Sequence, residues 1–245
     1  VGIPFSENVL WELKTDIMNP VHVLEISSFQ LEHIEIFSPA IAGILNISED
    51  HMDRYDNMRE YAGNKLKIAE NITDSGWLIY NADDPLLFSS LMNKTRARYF
   101  SLQPPQQGHF KLNASKVYSG KDDNPDILFH LEDTKLKGNH NLQNILAAAT
   151  MAHAFDISYN AIGNTITNFT PIPHRLEWIG NLNDIDYFDD SKATNIAAAR
   201  AAIESFDQNI ILILGGQDKG QTDFHQLSSS IRNRVKTIIT YGEAG

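Results

Sequence analysis

The sequence predicts the α/β class, a parallel sheet with a small antiparallel section followed by a second, partial α/β unit, and three observations carry that reading. First, apolar β-branched runs at Val21–Ile26, Ile41–Ile47, Trp77–Tyr80, Ile210–Leu214 and Thr237–Tyr241 end in polar clusters and alternate with helical patterns, as parallel strands with crossover helices do. Second, between Arg98 and Gly138 the pattern shortens to Phe110–Leu112, Lys116–Tyr118 and Ile127–Leu131, separated by Gly/Pro-rich turns. That is the mark of antiparallel pieces. Third, Thr170-Pro-Ile-Pro173 interrupts both periodicities, because proline fixes φ and removes a donor. The chain is therefore divided into units at 1–171 and 172–245.

Composition bounds the function. The 245 residues are enough for one large domain or two ordinary ones. A formal charge of −11 gives no general attraction to nucleic acid or anionic lipid, so neither is expected as a partner. Zero cysteines exclude disulfides, thiolate metal sites and a cysteine nucleophile. The longest aliphatic run, Ile210–Leu214, is far below the roughly 20 residues that cross a bilayer. The chain opens at Val1 without Met or a signal-peptide pattern, and its last strand-like run has nothing after it to cover its faces. The expectation is a piece of a longer protein.

Taken in order, Glu25 sits in the apolar run Val21-His-Val-Leu-Glu-Ile26, where a carboxylate is costly unless hydrogen-bonded or bound to a metal. The second run opens into Ser48-Glu-Asp-His-Met-Asp-Arg54, a composition suited to a hard cation, to a phosphate or to a solvated loop. Residues 57–71 read as a helix with Asn57 as N-cap and Glu60 in the capping-box position. On its wheel Met58, Tyr61, Ala62, Ile68 and Ala69 form one apolar arc with Lys65 in its middle and Lys67 nearly opposite. A lysine so placed either snorkels its ammonium to water or has its neutral amine made accessible by burial.

A long helix is predicted over 141–155, with Asn141 and Asn144 flanking its stripe in the first turns. They serve equally as caps or as amides reading a base edge or a phosphate. After the linker, His174 and Arg175 supply cationic side chains, and a hairpin is expected from Leu176–Ile179 and Ile185–Phe188 with its turn at Asn183-Asp184. Asp189-Asp-Ser-Lys-Ala-Thr-Asn195 then leads to an Ala-rich helix. A lysine in its first turn would oppose the dipole, so either a ligand anion or Asp190 would account for Lys192. Gly215-Gly-Gln-Asp-Lys-Gly220 ends the aliphatic strand. It is no dinucleotide fingerprint, and the chain contains no Walker A motif.

The order of these elements resembles the Mur ligase family. The resemblance runs through Leu24-Glu-Ile-Ser-Ser-Phe-Gln-Leu-Glu32, Leu45-Asn-Ile-Ser-Glu-Asp-His-Met-Asp-Arg-Tyr55, Lys65, Gly138-Asn-His-Asn-Leu-Gln-Asn144, Pro173-His-Arg-Leu-Glu177, Asp190-Ser-Lys-Ala-Thr-Asn195 and the Gly215 loop. The Ser-Lys-Ala-Thr-Asn block points to members that join D-glutamate to UDP-N-acetylmuramoyl-L-alanine in peptidoglycan precursor synthesis. The resemblance implies a central ATPase-type domain over 1–171 and a truncated, partial Rossmann-like ligase domain over 172–245. It also implies ATP-dependent amide synthesis through an acyl phosphate, in the bacterial cytoplasm, by a monomer. Glu25 resembles the ligand of one Mg²⁺, and His51 with Lys65 resembles the second Mg²⁺ site, the lysine being carbamylated by CO₂ in the family. Catalysis would fall to Lys65 and His51, ATP to Asn141, Asn144, Arg175 and Asp190, and substrate to Ser27, Gln30, Lys192, Thr194 and Lys219. The family's phosphate loop should precede Glu25 and does not, so residues 1–245 by themselves are expected to be inactive. Another Mur-type or folylpolyglutamate-type amide ligase, or a non-catalytic fragment, are the alternatives.

Overall fold

In the computed structural model, which describes residues 3–15, 17–48, 54–103, 110–113, 116–119, 127–216 and 223–243, the first unit runs α1 (Phe5–Thr15), α2 (Ser28–Leu31), β1 (Ile41–Ile44), α3 (Met58–Leu66), β2 (Trp77–Asn81), α4 (Pro85–Leu91) and β3 (Ala97–Phe100). The three strands form an all-parallel sheet in chain order, Gly43 facing Ile79 and Tyr80 facing Tyr99. Successive side chains on a strand point to opposite faces, and both faces are covered. Ile79 and Phe100 pack on α5 (Asn139–Ala154), while Ala42, Ile44, Leu78 and Tyr80 meet Tyr61 and Ala62 of α3 and Leu87 and Leu91 of α4. Helix α5 lies close enough that a Cβ on Gly43 would come within 2.8 Å of the Met151 sulfur.

Strands β4 (Phe110–Asn113), β5 (Lys116–Ser119) and β6 (Ile127–His130) form the expected antiparallel sheet. Phe110, Val117 and Phe129 extend the same core beneath α5 and α6 (Tyr159–Asn168). Gly163 lets α6 rest on β6, since a Cβ there would stand 2.5 Å from the Leu128 carbonyl oxygen. Past the linker come the hairpin β7 (Glu177–Leu182) and β8 (Ile185–Asp189), then α7 (Ile196–Glu204), β9 (Ile210–Gly216), α8 (Ser228–Arg234) and β10 (Val235–Gly242). Asn183 and Asp184 both have positive φ, 53° and 61°, the requirement of a two-residue type I′ turn. Strands β9 and β10 pair in parallel. One face of the pair, with Ile211, Ile213, Ile239 and Tyr241, is exposed. Among the described residues no helix is long and apolar enough to cross a membrane.

Several expectations are corrected. Val21–Ile26 is not a strand: it has no ladder partner among the described residues, Val23 is 92% exposed, and Glu25 is exposed rather than buried. An apolar β-branched run becomes a strand only where a neighbouring backbone receives its hydrogen bonds. The helix expected to reach residue 71 ends at Leu66 and continues as a 3₁₀ turn over Lys67–Ala69. Lys67, the first residue of that turn, is half-buried, and its ammonium donates to the Glu32 carbonyl at 3.1 Å. Asn57 caps α3, but the Glu60 carboxylate receives the Asp56 N–H rather than that of the cap residue. Helix α7 starts at Ile196 with Asn195 as cap, so Lys192 lies before the helix and the dipole argument does not apply to it.

Candidate active site

Two groups of sequence-predicted residues are built by different local devices. In the first, Ser27 caps α2. Its hydroxyl receives the Gln30 N–H at 3.3 Å and the Gln30 side-chain oxygen receives the Ser27 N–H at 2.9 Å, a reciprocal capping box. At the other end of α2, Glu32 takes both Arg54 Nε (3.0 Å) and Nη2 (2.6 Å), together with the Tyr55 hydroxyl (2.7 Å). The Arg54 guanidinium holds the Glu32 carboxyl far below the usual range, at about 2, and burial raises the Tyr55 phenol. Lys65 is half-buried, its ammonium 4.9 Å from the centre of the Tyr61 ring. Its place on the arc is thus seen, with the charge resting on an aromatic face. Glu25 makes no hydrogen bond or ion pair among the described residues. His51 and the segment around it lie outside the described residues.

The second group gathers where the two units meet. Gly138, the N-cap of α5, packs against Ser205 at the end of α7, a built Cβ falling 2.2 Å from the Ser205 hydroxyl. The next turn carries Asn141, half-buried, whose Nδ2 donates to the Lys137 carbonyl at 2.7 Å, and Asn144, exposed. The Asp190 carboxylate accepts the Leu176 N–H at 3.0 Å and feels His140, from the first turn of α5, and Arg175. Burial raises the Asp190 carboxyl and lowers the His140 imidazole. His174, with φ of 64°, ties the linker down: its N–H donates to Glu177 (2.7 Å), its ring Nδ1 pairs with Asp189 (2.6 Å), and its carbonyl accepts the Lys192 N–H (3.2 Å). That ring holds the Asp189 carboxyl down at about 2. The structure thus brings His140, Arg175 and Asp190 together, with the backbone of Lys192 tied to His174 beside them and Asn141 following His140 in the chain. The Lys192 and Thr194 side chains are exposed, and Lys219 lies outside the described residues.

One feature was missed from the sequence. Beyond the carboxyl ends of β1 and β2 lies an open cleft of about 430 Å³, lined by Asn46, Asn81, Asp83, Asp84 and Gln143 among others, at the place where open α/β sheets receive ligands. Asp84 caps α4 through the Leu86 and Leu87 N–H groups and also takes the Ile47 N–H at 2.8 Å. Asp83 accepts the Leu102 N–H at 2.7 Å and the Ser101 hydroxyl. The available signal was Asp84-Pro85, an N-cap followed by proline at the first helical position.

Comparison with known proteins matches residues 14–152 to the Mur ligase middle domain and 174–245 to the Mur ligase, glutamate ligase domain. A UDP-N-acetylmuramoylalanine–D-glutamate ligase of Salinibacter ruber is 35% identical over 250 residues, covering 100% of this chain and 53% of the relative. Its namesake from Koribacter versatilis is 39% identical, covering 91% and 49%. The chain thus spans about half the length of the curated relatives it matches. Among solved structures, the MurF ligase of Thermotoga maritima in complex with ADP superposes with a TM-score of 0.64 at 13% identity, covering 89% of this chain and 56% of that one. A pseudomurein peptide ligase type C of Methanothermus fervidus gives 0.61 at 18%, covering 82% and 52%. At such identities the superpositions speak for the fold, and the two family models, one ending before the 170–173 linker and one starting just after it, speak for descent: the chain belongs to the Mur ligase family.

Proposed function

We propose that the protein containing this chain is an ATP-dependent carboxylate–amine ligase that adds D-glutamate to UDP-N-acetylmuramoyl-L-alanine, with residues 1–171 forming its ATP-binding domain and 172–245 its amino-acid-binding domain. The observation that carries the reading is the likeness, at 35–39% identity over 91–100% of the chain, to relatives bearing that name. In this chemistry the terminal carboxylate takes the γ-phosphoryl of ATP, and the amine of D-glutamate attacks the resulting acyl phosphate to release phosphate. Phosphoryl transfer depends mainly on positioning and on neutralising charge.

The residues fit those demands. Asn141 spends its Nδ2 on the Lys137 carbonyl and so presents a fixed amide oxygen, suited with Asn144 to a base edge. Arg175 and Asp190 stand at the same junction, suited to phosphate and ribose hydroxyls. Lys192, Thr194 and Lys219 would meet the D-glutamate carboxylates, and Ser27 and Gln30 the acceptor substrate. Glu25, with both carboxylate oxygens unspent on described groups, suits a hard cation such as Mg²⁺. In this reading it holds one Mg²⁺, and His51 with a CO₂-derived carbamate on Lys65 holds a second, which would neutralise phosphate charge when bound. The reading places the enzyme in the bacterial cytoplasm as a monomer. The test is phosphate release by the whole protein with ATP, Mg²⁺ and UDP-N-acetylmuramoyl-L-alanine across a panel of amino acids. Release that requires D-glutamate supports the proposal. Release with meso-diaminopimelate or L-lysine but not D-glutamate overturns it in favour of another amide ligase.

A further inference from the structure

Glu32 ties together three stretches of chain that are distant in sequence, joining its own to a second through its carboxylate and to the third through its backbone carbonyl. It closes the segment that begins with Ser27 and Gln30, being the C-cap of α2. It grips Arg54 in a two-point fork and takes the Tyr55 hydroxyl; these two residues follow His51 by three and four positions. Its own carbonyl receives the Lys67 ammonium, two residues beyond Lys65. Rings continue the connection: Arg54 lies 5.0 Å above Phe29, Phe29 stacks on Tyr55 at 6.0 Å, Tyr55 touches Tyr61 at 5.2 Å, and Tyr61 carries the Lys65 ammonium.

An isolated exposed ion pair contributes little. Glu32 differs because its side chain is only 16% exposed, its Tyr55 partner is 4% exposed, and the Arg54 bonds are bidentate and charge-assisted, which fixes direction as well as distance. The carboxylate stays ionised at any working pH.

We propose that Glu32 is a positioning residue for the ligase reaction: through Arg54, Tyr55 and Lys67 it holds the Ser27–Gln30 segment, the Arg54–Tyr55 stretch that follows His51 in sequence and the Lys65 helix in one fixed register. The proposal rests on the roles given above to Ser27, Gln30, His51 and Lys65. It makes no direct contact with substrate or metal necessary for Glu32. Outer partners that orient metal-holding residues change metal affinity or rate by about 10–100-fold when removed.

The test uses the whole protein and the variants Glu32→Gln, Arg54→Lys and Glu32→Gln/Arg54→Lys. In Glu32→Gln, Mn²⁺ affinity read by electron paramagnetic resonance should fall about tenfold and kcat by a similar factor, with the KM for ATP within twofold and the far-UV circular dichroism unchanged. Arg54→Lys, which keeps the charge but not the fork, should lie between wild type and Glu32→Gln, and the double variant should be no worse than Glu32→Gln. A folded Glu32→Gln with wild-type Mn²⁺ affinity and kcat overturns the proposal. If that variant does not fold, Arg54→Lys decides alone: unchanged Mn²⁺ affinity and kcat overturn the clasp, and a fall in both supports it. The Mn²⁺ reading does not depend on which amino acid is ligated. A wild-type protein that ligates something other than D-glutamate would therefore sink the substrate reading while leaving the clasp tested.

Discussion

Gly138 is the position where the geometry commits itself most sharply. Its backbone stands at φ 85° and ψ 155°, in a region reached almost solely by glycine, and forcing another residue into such conformations costs about 1–3 kcal/mol. A Cβ there would also fall 2.2 Å from the Ser205 hydroxyl, 3.0 Å from its Cβ and 3.1 Å from the His140 ring. Turning the hydroxyl away would sacrifice its 2.8 Å bond to the Ala201 carbonyl, a further loss of about 0.5–1.5 kcal/mol. Gly138→Ala should therefore destabilise by about 2–4 kcal/mol in total, read from urea unfolding followed by circular dichroism. Adding Ser205→Gly should recover only the contact share, less than half. Gly138→Asn should be no better than Gly138→Ala, because asparagine tolerates the left-handed helical region but not ψ near 155°. The reasoning fails if Gly138→Ala unfolds within about 0.5 kcal/mol of wild type. It also fails if Ser205→Gly restores everything, which would put the whole cost in the contact and none in the backbone.

Three further outcomes are expected. Asp84→Ala removes the cap of α4 and strands the Ile47 N–H, so it should destabilise by about 1–3 kcal/mol, while Asp84→Asn retains most of the cap; a urea midpoint unmoved by Asp84→Ala would contradict the bonding described. The Asp189 carboxyl, held down at about 2 chiefly by His174 and further by Ser191 against an ordinary 3.8, contributes stability that is present above the ordinary value and lost as pH falls from about 4 towards 2; in His174→Ala the Asp189 carboxyl carbon should titrate higher by NMR while staying below its ordinary value, because the Ser191 bonds remain, and an unchanged titration would refute the pairing. If Lys65 carries a carbamate, stripping CO₂ at mildly acidic pH should lower the activity of the whole protein and bicarbonate should restore it, with ¹³C-bicarbonate giving a carbamate signal lost in Lys65→Met; indifference to CO₂ would mean a plain lysine.

What was legible in the sequence was whatever depends on local chemistry. The three antiparallel pieces, the Asn183-Asp184 turn, the Asn57 cap and the long helix over residues 139–154 were all written in turn residues and periodicity. What failed depends on partners. Val21–Ile26 has the composition of a buried strand, yet no described backbone pairs with it. The Ile210–Leu214 run does form the expected strand, and yet Ile213 on it is 66% exposed. Periodicity could not show the 3₁₀ ending after Leu66, since the wheel presumes one pitch throughout, nor the bond from Lys67 to the distant Glu32 carbonyl. The Glu32 clasp was equally hidden, because a fork between residues 22 apart leaves no trace in spacing.

The same residues recur in capping and in the proposed chemistry, and the two uses are compatible. Asn141 gives its amide nitrogen to the Lys137 carbonyl and keeps its oxygen, while Asp190 gives one carboxylate oxygen to the Leu176 N–H and keeps the other. A polar side chain with one bond already made to nearby backbone loses little further freedom when a ligand takes the remaining atom, and its unused lone pair points in a set direction. Ser27 and Gln30 are different, since each has its acceptor engaged within the capping box. The Gln30 oxygen takes both the Ser27 N–H and the Ser27 hydroxyl, so substrate contact by those two must use the Gln30 amide nitrogen or the second lone pair of the Ser27 oxygen, and Gln30→Glu, which keeps the acceptor and removes the donor, should leave α2 capped while weakening substrate binding.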